Sequence, residues 1–216
     1  MSLPLRAKAL IVDFGGVLTT SVWDSFAVFC RAKGLDADAV KRLFREDPEA
    51  LALLRQLEVG AMPESEFEWR FAQRLGLDDA SDLVDSMFRG MQPEPRMVDA
   101  VRAARKAGIK TGLLSNSWST DHYDRALLGE LFDDLVISAE VSLHKPQSEI
   151  FWLACERLGV EPAETVFVDD LRENIAGAEA LGMIGVLHRD PEETVARLEE
   201  LLGVELGART QPRPSS

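Results

Sequence analysis

The chain has 216 residues, 46% hydrophobic and 28% charged, which suits one substantial core with at most a small inserted domain. A formal charge of −13 excludes nucleic acid and anionic membrane surfaces as partners drawn by charge; a small phosphorylated metabolite stays open, because a local site can oppose the net field. No apolar run is long enough to span a bilayer and the first residues hold no signal-type apolar core, so a cytoplasmic address is expected, as a monomer or homodimer.

Ala9 to Val12 is an apolar, partly β-branched run without a turn residue, the pattern of a short strand buried on both faces of a parallel sheet. It ends at Asp13, followed by Phe14, Gly15 and Gly16. A carboxylate at the end of a buried strand loses hydration unless something compensates. Two glycines beside it let the backbone turn sharply and leave room for a ligand or ion. Helical patterns follow. Val22, Phe26, Phe29 and Cys30 share one face of the first, which Gly34 closes. Further helices are expected over 36–46, 48–59, 63–75 and 79–88, with Pro48 well placed at a helix start. No strand pattern interrupts 21–92, so an all-helical insertion is expected there, set into a core made of 1–20 and 93–206.

Pro93 and Pro95 mark the return to that core. A helix is expected over 94–107, then a strand over 109–114 running into Ser115-Asn116-Ser117, and a helix over 121–130. A strand over 134–138 precedes Leu143-His144-Lys145-Pro146 and a helix over 148–158. A strand over 165–168 ends at Asp169-Asp170; a helix over 172–181, a strand over 184–187 and a helix over 191–202 complete the series, and 207–216 reads as a loose tail. Strands alternating with helices imply an α/β, Rossmann-like three-layer core with a parallel sheet. Cys30 and Cys155 fall in apolar helical patterns and are expected as buried thiols.

A parallel sheet brings Asp13, Ser115, Asn116, Asp169 and Asp170 to one edge, with Lys145 in a nearby connection. Three clustered carboxylates need a cation, and oxygen-only ligands favour Mg²⁺ over zinc or copper. A lysine and a Ser/Asn pair beside a metal can seat a dianionic phosphoryl group. Charge neutralised in this way lets one carboxylate attack phosphorus and form an aspartyl-phosphate. Each residue also has a plain structural alternative: Ser115-Asn116-Ser117 and Asp169-Asp170 as helix caps, Lys145 as a solvated loop lysine. Trp118 and Trp23 either face the crevice or pack between insertion and core, whereas Trp69 lies off the Phe67–Phe71 face, at a surface or subunit contact. The three histidines are isolated, and His122 and His144, though near the motifs, read as structural.

Four motifs in order, Ile11-Val12-Asp13-Phe14-Gly15-Gly16-Val17, Leu113-Leu114-Ser115-Asn116, Lys145-Pro146 and Phe167-Val168-Asp169-Asp170, resemble those of the haloacid dehalogenase-like hydrolase superfamily, over nearly all of 7–190. The resemblance implies a Rossmann-like core with a helical cap inserted after the first strand. It implies Asp13 as nucleophile, and Lys145, Ser115 and Asn116 around the phosphoryl group, with Gly16 and Trp118 as further candidates there. It implies Mg²⁺ on Asp13, Asp169, Asp170 and the carbonyl of Gly15. Most phosphatases of this superfamily carry a second Asp where this chain has Gly15. That Asp protonates the leaving group and then activates water. Its absence predicts a preference for good leaving groups and slow hydrolysis of the aspartyl-phosphate.

The leading expectation is a Mg²⁺-dependent phosphatase acting on a small phosphorylated metabolite. A dehalogenase, which needs no metal, leaves the Asp169-Asp170 pair without a purpose. A catalytically weak phospho-ligand binder or regulatory protein fits Gly15 but has no need of a nucleophile at Asp13.

Overall fold

The computed structural model describes residues 7–118 and 123–207. The first strand, β1 (Ala9–Val12), is followed by five helices, α1 (Val22–Ala32), α2 (Ala39–Glu46), α3 (Pro48–Glu58), α4 (Glu64–Leu75) and α5 (Leu83–Phe88). The chain then alternates: α6 (Pro95–Lys106), β2 (Lys110–Ser115), α7 (Arg125–Leu131), β3 (Asp134–Ile137), α8 (Ser138–Val141), α9 (Ser148–Leu158), β4 (Thr165–Asp169), α10 (Arg172–Ala180), β5 (Ile184–Leu187) and α11 (Pro191–Leu202). The five strands are parallel in the order β3-β2-β1-β4-β5, so β1 lies at the centre.

β1 shows how the layers form. Side chains alternate across a strand. Leu10 and Val12 point to one face, where Ala100, Val101 and Ala104 of α6 and Val195 and Leu198 of α11 cover them. Ala9 and Ile11 point to the other, against Ile150, Phe151 and Ala154 of α9 and Ala178 of α10. All four β1 residues are fully buried, as a strand with helices on both faces requires.

The helices between Val22 and Phe88 have a core of their own, built on Phe26, Phe67, Phe71 and Met87. Burying each such side chain contributes roughly 1.5–3 kcal/mol, enough together to hold these helices as a packed unit. The chain leaves and re-enters the core through two paired connectors. Glu94 N–H donates to the Leu18 carbonyl, Thr20 N–H to the Gln92 carbonyl, and Thr19 bridges Pro93 antiparallel.

Element types follow the sequence pattern; several boundaries move for local reasons. Asp36 Oδ1 accepts Asp38 N–H, holding a turn that delays α2 to Ala39. Asp79 accepts from both Ser81 N–H and Ser81 Oγ, and Asp82 is left-handed, so α5 starts only at Leu83. β2 and β4 each run one residue further than the apolar pattern. Ser115 pairs with Ile137 and Asp169 with Leu187, because backbone pairing is indifferent to the polarity of the last side chain. The turn of helix at α8 has no counterpart in the sequence reading. Cys30 and Cys155 are free and buried. Among the described residues no helix is long and apolar enough to cross a membrane. His122 and the tail beyond Gly207 lie outside the described residues.

Candidate active site

The C-terminal ends of β1, β2 and β4 meet at one buried lysine. Lys145 Nζ donates to Asp13 Oδ1 at 2.8 Å, to Asp169 Oδ2 at 2.7 Å and to the Leu114 carbonyl at 2.9 Å. An ammonium has three donors, and here each has an acceptor from a different strand end. Its side chain is 1% exposed, so the solvated-loop reading fails. Burial works against its charge, but Asp13 and Asp169 outweigh burial and hold it protonated far above the ordinary lysine range.

The same burial acts on the carboxylates. It pushes the Asp13 carboxyl up to about 7; Lys145 opposes this, and Asp169 and Asp170 reinforce it. Asp170 rises to about 6, through burial and then through Asp169. One oxygen from each of Asp13, Asp169 and Asp170 lies within 4.8 Å of the others. An all-oxygen set with three negative charges against one lysine fits a hard divalent cation. The three carboxylates are not equivalent. Asp169 Oδ1 accepts from Leu171 N–H and Asn174 Nδ2, and its Oδ2 from Lys145 and Asn174 Nδ2, which fills the four lone-pair positions of the carboxylate. To touch a metal directly, Asp169 would have to release one of these donors.

The two glycines after Asp13 serve different neighbours. At Gly16 φ is +74°, and a Cβ would stand 2.6 Å from Asp170 Oδ2, so only glycine lets β1 turn this close to that carboxylate. Its N–H points back to Thr19 Oγ1 at 3.3 Å. Gly15 has no positive φ, but a Cβ there would stand 2.8 Å from Val22 Cγ2 on α1. Ser115 Oγ accepts from the buried Tyr123 hydroxyl at 2.9 Å, which leaves its own hydrogen available to donate. Asn116 lines the cavity, and its side chain clamps the backbone of Lys145: Oδ1 accepts Lys145 N–H at 2.9 Å and Nδ2 donates to the Lys145 carbonyl at 3.1 Å.

Above this floor is a cavity of about 840 Å³ between core and cap helices. Its wall carries the aromatic Trp23, Phe26, Phe44, Phe88 and Trp118, together with the charged Asp85 and Arg89. Trp118 stands 5.2–5.7 Å, centroid to centroid, from Phe26, Phe44, Phe67 and Phe88. Both readings of Trp118 and Trp23 therefore hold together: each lines the cavity and each packs into the aromatic cluster. Trp69 is 57% exposed, on the surface. Arg55 and Glu58 of α3 also reach the cavity, as does His144. The sequence reading missed Glu58 and Tyr123.

Removing Lys145 should leave buried carboxylates without their partner. Lys145→Met is expected to destabilise the protein by roughly 3–5 kcal/mol near neutral pH, read from urea unfolding. The loss should shrink in mild acid, where Asp13 takes up a proton; an unchanged urea midpoint would contradict the bridging role. Gly16→Ala should cost more than about 1 kcal/mol in the same assay, since it combines a left-handed φ with a clash against Asp170.

Residues 7–182 match the pattern of the haloacid dehalogenase-like hydrolase family. The chain is 28% identical over 210 residues to a sesquiterpene phosphatase of Aspergillus oryzae, covering 91% of this chain and 97% of that protein. It is 31% identical over 127 residues to bifunctional epoxide hydrolase 2 of Rattus norvegicus, which is 56% of this chain and only 23% of that longer protein. A HAD family enzyme of Bacteroides thetaiotaomicron, crystallised with magnesium and inorganic phosphate, superposes with a TM-score of 0.65 at 22% identity, over 85% of this chain and 94% of that one, a likeness of fold. The family match runs from β1 through α10 and so takes in every strand but the last together with all the inserted helices; on that extent the chain belongs to the haloacid dehalogenase-like hydrolase family.

Proposed function

We propose that this hydrolase is a Mg²⁺-dependent phosphatase that cleaves a phosphate monoester through an aspartyl-phosphate on Asp13. The observation that carries the reading is a buried carboxylate at the end of the central strand, tied to a buried lysine and standing at the floor of a cavity. The phosphatase name of the Aspergillus oryzae relative and the magnesium and phosphate in the Bacteroides thetaiotaomicron neighbour support it.

Asp13 attacks phosphorus, the ester P–O bond breaks, and water then cleaves the acyl phosphate to release inorganic phosphate. Lys145 fixes the Asp13 carboxylate through Oδ1 and keeps positive charge at the floor. Ser115, its oxygen already occupied by Tyr123, donates to a phosphoryl oxygen. Asn116 and Asp169 act through Lys145, one on its backbone and one on its ammonium. Asp13, Asp170 and the Gly15 carbonyl are the proposed metal ligands, with Asp169 supplying charge behind them. Bound there, Mg²⁺ would neutralise phosphoryl charge that the carboxylates otherwise repel.

The aromatic wall favours a monoester whose body is apolar and large enough to fill a cavity of about 840 Å³.

Asp13→Asn should abolish turnover of p-nitrophenyl phosphate while leaving the fold intact by circular dichroism, because the amide cannot attack phosphorus. Substantial activity in the purified variant would overturn the assignment.

Mg²⁺ should raise the melting temperature, and the rise should depend on pH. In the metal-free protein Asp13 titrates near 7 and Asp170 near 6, against 3.8 for an ordinary Asp. The folded state therefore binds more protons than the unfolded state between these values, and its stability falls as pH rises through that window. Mg²⁺ relieves the repulsion only once the carboxylates are charged, so its stabilisation should be larger at about pH 8 than at about pH 5. Asp170→Ala should diminish it. A melting curve indifferent to Mg²⁺ at both pH values would remove the metal from the reading.

A further inference from the structure

We propose that Glu58, from the cap helix α3, supplies the general acid and base that the glycine at position 15 cannot. The inference rests on the phosphatase reading above and adds a residue that no core motif contains.

Gly15 lies under α1. A side chain there would begin 2.8 Å from Val22 Cγ2, in space that α1 already occupies. The proton must therefore come from another element facing the cavity. Glu58 is the last residue of α3, and its side chain lines the cavity whose floor holds Asp13, Ser115 and Lys145. Lys145 is among the charges that act on its carboxyl.

Its place is fixed by the core. The Glu58 carbonyl accepts a hydrogen bond from Ser138 Oγ, and Ser138 Oγ in turn accepts Ser117 N–H at 2.9 Å. Ser138 is fully buried. Two residues on, a Cβ at Gly60 would stand 2.8 Å from the Ala139 carbonyl, so the end of α3 lies tight against α8. The chain Glu58–Ser138–Ser117 thus ties the backbone at the end of α3 to the segment that carries Ser115.

The surroundings suit a group that both gives and takes a proton. Burial pushes the Glu58 carboxyl up; Lys145 and then Arg55 pull it down, and Glu173 of α10 pushes it up again, leaving it at about 7. Asp13, Asp85, Arg89, Tyr123, His144 and Asp170 are the other titratable or charged groups on the cavity wall. An acid–base group works best when its pKa lies near the working pH.

The steps balance. As an Asp13 oxygen bonds to phosphorus, the ester P–O bond breaks and its electron pair goes to the leaving alkoxide, which takes the proton of Glu58. In the second half Glu58, now a carboxylate, takes a proton from water while the water oxygen bonds to phosphorus. The Asp13–phosphorus bond breaks, its electron pair returns to Asp13, and Glu58 is again protonated.

The test compares leaving groups in the full chain with Mg²⁺, using p-nitrophenyl phosphate and decyl phosphate. Nitrophenolate leaves without a proton, whereas decanolate needs one. In Glu58→Gln, kcat/KM for decyl phosphate should fall by roughly a hundredfold to ten-thousandfold, while kcat/KM for the aryl ester changes little. The aryl reaction should then show a burst of nitrophenolate followed by a slow steady state, because hydrolysis of the aspartyl-phosphate has lost its base. That burst also reports that the variant is folded and its nucleophile in place. Wild-type kcat/KM for decyl phosphate should decline above about pH 7, a limb that Glu58→Asp retains and Glu58→Gln lacks. An equal loss on both esters would make Glu58 a structural residue and overturn the proposal, as would decyl phosphate turnover that survives Glu58→Gln. The same leaving-group signature in Asp85→Asn, with Glu58→Gln unaffected, would move the role to Asp85. If wild type cleaves neither ester, or if Asp13→Asn cleaves both, the phosphatase reading itself falls, an outcome distinct from any of these.

Discussion

One buried ammonium constrains the rest of this site. Lys145 is placed where no lysine is stable alone, and it is held there because the ends of β1, β2 and β4 each present it with an acceptor. The dependence is mutual, since Asp13 and Asp169 could not both be ionised at a buried strand edge without it. Such a bridge requires β1 to lie between β2 and β4, which is the order of the sheet. Asn116 fastens the lysine backbone at both peptide groups, and Asn174 and the Leu171 N–H fasten Asp169. Most of the polar residues at this edge thus serve the position of two groups, a lysine and a nucleophile, and few are left to meet a ligand directly.

The inserted helices are bound to this edge by more than their connectors. Trp118 comes from the core, three residues past Ser115, yet its ring sits in the aromatic cluster of the cap. Ser138 comes from the core and bonds a cap carbonyl. Val22 comes from the cap and closes over Gly15. Core and cap therefore meet in residues that flank Asp13, Ser115 and Lys145, and the shape of the cavity is set by both.

The parts legible in the sequence were those with a periodic or terminal signal. Strands β1, β2 and β4 were visible as apolar runs that stop at polar residues; Asp134–Ile137, only half-buried at its start, has a weaker apolar signal. The site residues were legible because a parallel sheet converts strand ends into neighbours. Roles were harder to read. Asn116 next to Ser115 suggests one binding pair, but the two side chains diverge, one to a lysine backbone and one to Tyr123. Asp169 and Asp170 suggest two equal ligands, but one is enclosed by Lys145 and Asn174 and the other stands against Gly16. Glu58 was illegible for a plainer reason. It lies at the end of a charged, half-exposed helix with no motif around it, and only the docking of α3 on α8 turns it toward the cavity.

Gly15 brings these threads together. In the sequence it reads as a loss, a position where an acid is missing. In the structure it is a contact, the point where α1 lies so close to the nucleophile loop that a Cβ would stand 2.8 Å from Val22 Cγ2. A cap that presses this closely narrows the floor of the cavity, and Glu58 of α3 lines the same cavity as Lys145. With the proposed acid on the cap and the nucleophile on the core, the two halves of the proton transfer are correctly spaced only while α3 is docked on Ser138. Catalysis would then depend on the cap–core contact itself, and the body of the substrate, packed against Trp118 of the core and Trp23 of the cap, would help to hold that contact closed.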